Sequence, residues 1–276
     1  MSQTWHGLAE PAPRPLGWAD WLRIALRGTP LFVLLLFCFP LLLVLRLPEW
    51  LIFGQARPVT PYITQFVCVT ACHILGLGRV MHGKPMIGPG AYVANHVGWL
   101  DIFVLNAGKR LYFVAKSEVA GWPGIGWLAR GTGTVFIARD RRHAAAQTRL
   151  FEDRLRAGHR LLFFPEGTSS DGRRVLPFKT TLFQAFHSER LSAILQIQPV
   201  TLIYHPPVGE DPRFYGWWGD MALTPAILSV LAAPRQGRVE VVYHTPLKVS
   251  DFADRKVLAL TAEAAVRAGL PPAMRD

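Results

Sequence analysis

The sequence predicts an α/β domain, a mixed β-sheet flanked by helices, behind an N-terminal membrane-embedded two-helix hairpin. Three observations lead there. From about residue 79 onward, short apolar runs bounded by Gly and Pro alternate with stretches of helical period, the pattern of strands and helices taken in turn. Ahead of that region stand two long uncharged runs, Gly28–Leu45 and Pro58–Leu77. Half of the 276 residues are hydrophobic, and the mean hydropathy is positive.

Residues 1–16 are rich in Pro, Ala and Gly and read as a disordered N-terminus. Residues 17–78 form the expected membrane-associating hairpin. Trp18 and Trp21 beside Arg23 and Arg27 suit a membrane interface. Gly28–Leu45 is an uncharged run of 18 residues, or roughly 27 Å of helix against a hydrocarbon core of ~30 Å. Pro30 suits a first helical turn, whereas Pro40 should kink the middle. The second run carries Thr60, Thr64, Gln65, Thr70 and His73 and is less apolar. Two arrangements fit, a pair of spanning helices or a hairpin dipping into one leaflet, and Pro40 with the polar second helix favours the dip. A signal peptide is not expected, because the apolar run starts late and no clear cleavage site follows. Either arrangement returns the chain to the side it left. Arg14, Arg23 and Arg27 flank one end and Arg79 and Lys84 the other, so the positive-inside rule puts both ends on the cytoplasmic face of the inner membrane.

Residues 79–276 are the α/β domain. Strands are expected near 79–83, 91–95, 111–115, 133–138, 160–164, 196–204 and 238–243. Helices are expected near 99–108, 123–130, 141–157, 180–189, 220–231 and 251–268.

The net charge is +11, with a pI near 10.1, which favours anionic partners. Nucleic acid is not among them, since no zinc-finger, RNA-binding or helix-turn-helix signature occurs. Anionic membrane lipid is the partner the apolar N-terminal region supports. Cys38, Cys68 and Cys72 all lie in apolar stretches without framework spacing, so they read as reduced core thiols. The nine histidines show no zinc-ligand spacing, and there is no P-loop. No metal or redox cofactor is expected.

Chemistry concentrates in two turns. Ala91-Tyr92-Val93-Ala94 reads as a buried strand ending at Asn95-His96, with Asp101 about one turn into the following helix. If the chain bends at Val97-Gly98, the carboxylate reaches the histidine. A neutral imidazole can then take a proton from an alcohol, while the carboxylate fixes its tautomer. The competing reading is a plain helix N-terminus capped by Asn95. The second turn, Phe164-Pro165-Glu166-Gly167-Thr168-Ser169-Ser170, also follows an apolar run. Gly167 permits close backbone approach, and Glu166, Thr168 and Ser169 offer an acceptor and two hydroxyls. Between them, Gly133-Thr134-Val135-Phe136-Ile137-Ala138-Arg139 reads as a strand ending in a cation. Ligands bind at such converging strand ends in open α/β sheets. Lys116 also follows a strand end, within reach of a phosphate. The basic run Arg139–His143 reads either as a solvated helix face or as a phosphate contact. The aromatic run Tyr215–Met221 reads as an acyl path, an interface or core.

These stretches resemble the glycerolipid acyltransferase family. Asn95, His96 and Asp101 match its Asn-His-x4-Asp block; Gly133, Phe136, Ile137 and Arg139 match its second block. Phe164, Pro165, Glu166, Gly167, Thr168 and Ser170 match the third, and Ile197-Gln198-Pro199-Val200 the fourth. The resemblance covers roughly Val80 to Tyr243. It implies O-acyl transfer from acyl-CoA or acyl carrier protein, as co-substrate, to a lyso-lipid acceptor, with no side chain forming an acyl-enzyme. His96 would be the general base, oriented by Asp101. Asn95 would contact substrate, Arg139 would hold an acceptor phosphate, and Glu166 would meet acceptor hydroxyls or position Arg139. Thr168 and Ser169 would donate to phosphate oxygens, a backbone N–H near Gly167 would face the oxyanion, and Lys179 would touch phosphate or coenzyme. The acceptor expected first is 1-acyl-glycerol 3-phosphate, giving phosphatidic acid. Alternatives are another lyso-lipid such as lyso-ornithine lipid, a lipid or thioester hydrolase, or a non-enzymatic membrane lipid-binding protein.

Overall fold

The computed structural model describes residues 4–7, 9–11, 15–88, 90–138, 144–187, 192 and 195–275. Among these, eight strands form one sheet: β1 (Gly78–His82), β2 (Gly90–Ala94), β3 (Tyr112–Lys116), β4 (Val135–Ile137), β5 (Leu161–Phe163), β6 (Gln196–His205), β7 (Arg238–Tyr243) and β8 (Leu247–Lys248). Their order is β1-β7-β6-β2-β5-β3-β4, with β8 also paired to β6. From β6 to β4 all neighbours are parallel, while β7 and β8 run antiparallel to β6. The sheet is therefore mixed, as the sequence predicts.

The alternation along β2 shows how the layers form. Successive strand residues point to opposite faces. Ala91 and Val93 join a core with Phe163, Phe183 and Leu258, and Tyr92 and Ala94 join one with Leu100, Leu105 and Leu162. The first face is covered by α5 (Ala144–Arg156) and α7 (Arg255–Gly269), the second by α2 (Thr60–Leu75), α3 (Leu100–Gly108) and α6 (Leu223–Ala232). In α7 the buried residues Leu258, Ala259, Ala262 and Val266 make one helical stripe. Removing a side chain such as Phe183 from water stabilises the fold by about 1.5–3 kcal/mol. Residues 180–187, expected as α-helix, form 3-10 turns instead. The short β8 is an addition to the expected strands.

Pro199 lies inside β6, where a proline normally breaks a ladder. Its position explains the tolerance. On that edge β8 pairs with Gln196 and Ile197, and β7 pairs only from Val200 onward, so the missing N–H falls in the gap between them.

The N-terminal region differs from expectation in its detail. The lead-in and first apolar run are one helix, α1 (Trp18–Phe53), which continues through Pro30, Pro40 and Pro48. At 36 residues it spans roughly 54 Å. It is long and apolar enough to cross a membrane, and it is the membrane anchor of this fold. Helix α2 follows to complete the pair, but its face of Val67, Cys68, Ala71, Cys72 and Leu75 is buried in the domain core rather than open to lipid. Two polar residues of that run are held by protein partners, Thr60 by Glu49 and Gln65 by the Ala107 carbonyl.

Helix α1 touches the domain along its length. Arg27 donates to the carbonyls of Leu231 (2.8 Å) and Ala233 (2.6 Å) at the end of α6. Phe39 and Leu43 pack over Gly131 of α4 (Ile125–Thr132). Arg46 donates to Thr60 Oγ1 at the start of α2 (2.9 Å). Along the same helix Phe32, Leu36, Phe37, Val44, Leu47 and Leu51 are exposed. The extreme N-terminus, expected to be disordered, also makes contacts. Glu10 accepts from the Asp220 N–H (2.7 Å), and the Trp5 ring lies 6.2 Å from that of Trp218. Two tryptophans meeting across the chain supply a local reason for order that residue composition hides.

Candidate active site

Strand β2 ends at Ala94, and the chain turns through Asn95 to Gly98 before α3 begins. The carboxylate of Asp101, fully buried, sits inside that turn. Its Oδ2 accepts from His96 Nδ1 (2.7 Å), the Val97 N–H (2.8 Å) and the Gly98 N–H (3.1 Å). Its Oδ1 accepts from the Tyr204 hydroxyl (2.9 Å). An unpartnered buried carboxylate would cost several kcal/mol; four donors offset that cost. Because the carboxylate accepts at Nδ1, the imidazole proton sits there and Nε2 carries the lone pair. His96 keeps 21% side-chain exposure, and its ring stacks on Phe164 at 4.0 Å and 11°. The ring is thus held at one edge by Asp101 and on one face by Phe164, with Nε2 left as the basic atom. The bend at Val97-Gly98 is what the sequence required of the pair.

The second turn is tied to the first. The Ser170 N–H donates to the His96 carbonyl (2.9 Å), and the Ser169 hydroxyl donates to the Trp217 carbonyl. The Trp217 N–H in turn donates to the Val97 carbonyl (2.9 Å). Gly98 has no room for a side chain against this segment, since an added Cβ would lie 3.2 Å from the Tyr215 carbonyl oxygen. The aromatic run therefore roofs the histidine turn. Tyr215 and Trp218 are buried, whereas Trp217 is half-buried and meets the Trp122 ring edge-on at 6.1 Å.

Several roles expected from the sequence need correction. Asn95 was a candidate for substrate contact, but it is fully buried. Its amide closes a two-bond clamp on Leu202 of β6, donating to the carbonyl (3.0 Å) and accepting from the N–H (2.8 Å). Glu166 was expected at acceptor hydroxyls or beside Arg139, yet it is 2% exposed. Burial pushes its carboxyl well above the usual carboxylate range; the backbone N–H groups of Leu176 and His96 oppose that, and Asp101 adds to it. Glu166 is thus packed beneath the histidine turn, where burial favours the protonated carboxyl. The Ser169 hydroxyl donates to the Trp217 carbonyl and the Gly167 N–H to the Phe164 carbonyl (3.0 Å).

Gly167 has a φ of 70°, in the left-handed region. The Lys179 side chain lies over it, close enough that an added Cβ would meet Nζ at 2.6 Å. Thr168, half-buried, donates to the Ser169 carbonyl at 3.4 Å. Lys116 ends β3, which neighbours β5, so it shares the carboxyl edge of the sheet with His96. Arg139 and the basic run to His143 lie outside the described residues. Among the described residues no His, Cys, Asp and Glu grouping could hold a metal ion. Burial pushes the Cys68 thiol up to about 12, which suits inert core residues.

Sequence reasoning missed Tyr204 and assigned no role to Phe164. Nothing local marks Tyr204, which lies 103 residues from Asp101. Phe164 was visible in its block, but its stacking on His96 needs the strand order.

Comparison with known proteins follows this geometry. The family model described as Acyltransferase matches residues 80–203. A lyso-ornithine lipid O-acyltransferase from Rhodobacter capsulatus is 57% identical over 266 residues, 96% of each chain. A second protein of that name, from Brucella abortus, is 41% identical over 72% of this chain and 76% of its own. A 1-acyl-sn-glycerol-3-phosphate acyltransferase from Neisseria gonorrhoeae is 32% identical over 63% of this chain and 67% of its own. The crystal structure of the 1-acyl-sn-glycerophosphate acyltransferase from Thermotoga maritima shares the fold, with a TM-score of 0.53 at 20% identity, covering 88% of this chain and 95% of that one.

Proposed function

This chain belongs to the acyltransferase family, and from that premise we propose that it is an O-acyltransferase whose acceptor is lyso-ornithine lipid. One observation carries the choice of acceptor. The likeness to a lyso-ornithine lipid enzyme runs over 96% of both chains at 57% identity, whereas the glycerophosphate enzyme matches at 32% over 63% of this chain. The phosphate-bearing acceptor expected first from the motifs is therefore the second choice. Those motifs define the reaction shared by both groups and do not separate their acceptors.

His96 Nε2 takes the proton from the acceptor hydroxyl. The freed oxygen attacks the carbonyl carbon of an acyl thioester, from acyl-CoA or acyl carrier protein. A tetrahedral oxyanion forms and collapses, the new ester bond remains, and the thiolate leaves with the proton from His96. Asp101 stabilises the imidazolium between these steps. The support for this sequence is the 2.7 Å contact at Nδ1, which keeps the lone pair on Nε2. Lys116 and Lys179, among the described residues, are cations that would meet an acidic donor, and the motif match gives Arg139 a like role. The enzyme would work at the cytoplasmic face of the inner membrane. Contacts along α1 from Arg27 to Arg46 favour seating it in one leaflet over crossing away from the domain.

The test offers one acyl-CoA to purified full-length protein in detergent, with lyso-ornithine lipid and lysophosphatidate as separate acceptors and His96→Ala as control. The expected result is transfer to lyso-ornithine lipid that the control lacks. Transfer to lysophosphatidate alone would reverse the acceptor. Release of fatty acid without any acceptor would make the protein a hydrolase, and no turnover with either would leave a lipid-binding role.

A further inference from the structure

The parallel strands have a second edge, at their N-terminal ends, opposite the turn that carries His96. There a cavity of about 290 Å³ is lined by Arg57, Arg110 and Arg160 with Tyr62, Tyr112 and His159. Arg110 and Tyr112 open β3, Arg160 opens β5, and Arg57 comes from the link between α1 and α2. No carboxylate lines this cavity.

Its chemistry is that of an anion site lacking its anion. Arg57 Nη1, Arg160 Nε and the Tyr112 hydroxyl are buried with no hydrogen-bond partner, and Tyr112 is only 6% exposed. Buried donors are normally paired. Other atoms of two guanidinium groups are paired, Arg160 with the Ile87 carbonyl (2.8 Å) and Arg110 with Gln65 Oε1 (3.2 Å), but the nearby charged groups are committed elsewhere. Arg154, behind Tyr112, donates to His159 Nδ1 (2.6 Å) and to the Gly133 carbonyl (2.7 Å). Glu49 is occupied by Thr60 and by Arg46. The positive field is strong enough, with burial, to depress His159 to about 3, mainly by desolvation and then by Arg154 and Arg57. His159 is therefore neutral, and because Nδ1 accepts from Arg154 its proton sits on Nε2, adding a fourth donor.

The rim tells which anion fits. Tyr62 of α2 lines the cavity and is exposed, with the Arg110 guanidinium stacked over its ring at 4.0 Å, and the chain that leads into the cavity at Ala56 and Arg57 comes from the end of α1, where Trp50, Ile52 and Phe53 are exposed. A cationic pocket into which the chain leads from the exposed apolar end of the membrane helix matches a phosphate carried on a lipid. We propose that Arg57, Arg110 and Arg160 form a phosphate site, separate from the catalytic centre, that takes the headgroup phosphate of an anionic membrane lipid. Arginine forks bind phosphate oxygens in pairs, and an occupied pocket would pin the α1–α2 link to the bilayer surface.

The experiment compares full-length protein with an Arg110→Gln/Arg160→Gln variant, and with Arg235→Gln/Arg238→Gln as a control of equal charge loss elsewhere. Flotation with vesicles of phosphatidylglycerol and phosphatidylcholine is measured beside thermal unfolding in detergent with added inorganic phosphate. The expected result is a roughly tenfold loss of phosphatidylglycerol binding in the cavity variant alone, about 1.4 kcal/mol. Equal losses in both variants would reduce the effect to overall charge and overturn the site. Stabilisation by inorganic phosphate without any lipid effect would overturn the lipid as its source. If the double variant does not fold, Arg160→Lys keeps the charge but removes the buried Nε, and unchanged vesicle binding there overturns the proposal. Acyl transfer to a detergent-dissolved acceptor should persist in the cavity variant, which separates this result from the assignment of the reaction.

Discussion

The Tyr204 hydroxyl donates to Asp101 Oδ1 at 2.9 Å, on the side of the carboxylate turned away from His96. Tyr204 never faces the reacting atoms, yet it helps set the orientation of the group that aims the base. Its own hydroxyl is pushed well above the usual tyrosine range by burial and by Asp101, so it stays a donor. Tyr204→Phe should lower kcat roughly tenfold with little change in KM, since a hydrogen bond to a charged group is worth about 1.5–3 kcal/mol. Steady-state kinetics check this. A change confined to KM would remove Tyr204 from the positioning of His96.

Asp101→Asn should be more severe. An amide at that position donates as well as accepts, so it permits the wrong imidazole tautomer and no longer stabilises the imidazolium. A fall in kcat of about 10²–10⁴ is expected, with the circular dichroism spectrum unchanged. His96→Ala should leave no measurable transfer. If Asp101→Asn transfers acyl groups at the native rate, the contact at Nδ1 is structural only.

Glu166 makes a stability prediction. Its folded carboxyl titrates above its unfolded counterpart, whose pKa is about 4.3. The folded state therefore holds its proton more tightly. That contribution is fully present below the unfolded pKa and is lost as pH rises toward the folded one. Glu166→Gln mimics the protonated form, so its Tm should exceed the native value at pH 8 and match it near pH 4. Each kcal/mol corresponds to about 2–4 °C in a chain of this size. Parallel Tm curves for the two proteins would mean that Glu166 is ionised in the fold.

Arg27 ties the membrane helix to the domain through two carbonyls at the end of α6. Charge-assisted bonds of this kind contribute about 1.5–3 kcal/mol. Arg27→Met should lower Tm in detergent by about 4–8 °C while sparing the chemistry of a detergent-dissolved acceptor. An unchanged Tm would show that α1 is not docked there in detergent.

The elements legible in the sequence were those set by short-range physics. Period-2 and helical patterns located β2, β6, β7, α3 and α7 to within a few residues, because side-chain alternation is a local property. The spacing of His96 and Asp101 pointed to their contact, since five residues and one bend at Gly98 suffice to join them. The two uncharged runs marked the N-terminal helices, although the run of prolines concealed that α1 is continuous.

What the tertiary structure alone decided are the contacts that depend on strand order. Placing β6 beside β2 lets Asn95 clamp Leu202 and brings Tyr204 to Asp101, both across more than a hundred residues. The same arrangement buries Glu166 beneath the histidine turn, which its place in a polar turn did not show. It also gathers Arg57, Arg110 and Arg160, scattered along the chain, into one cavity. A residue's type and local pattern are written in the sequence; whether it meets water, a substrate or a buried partner is set by which distant strand packs beside it.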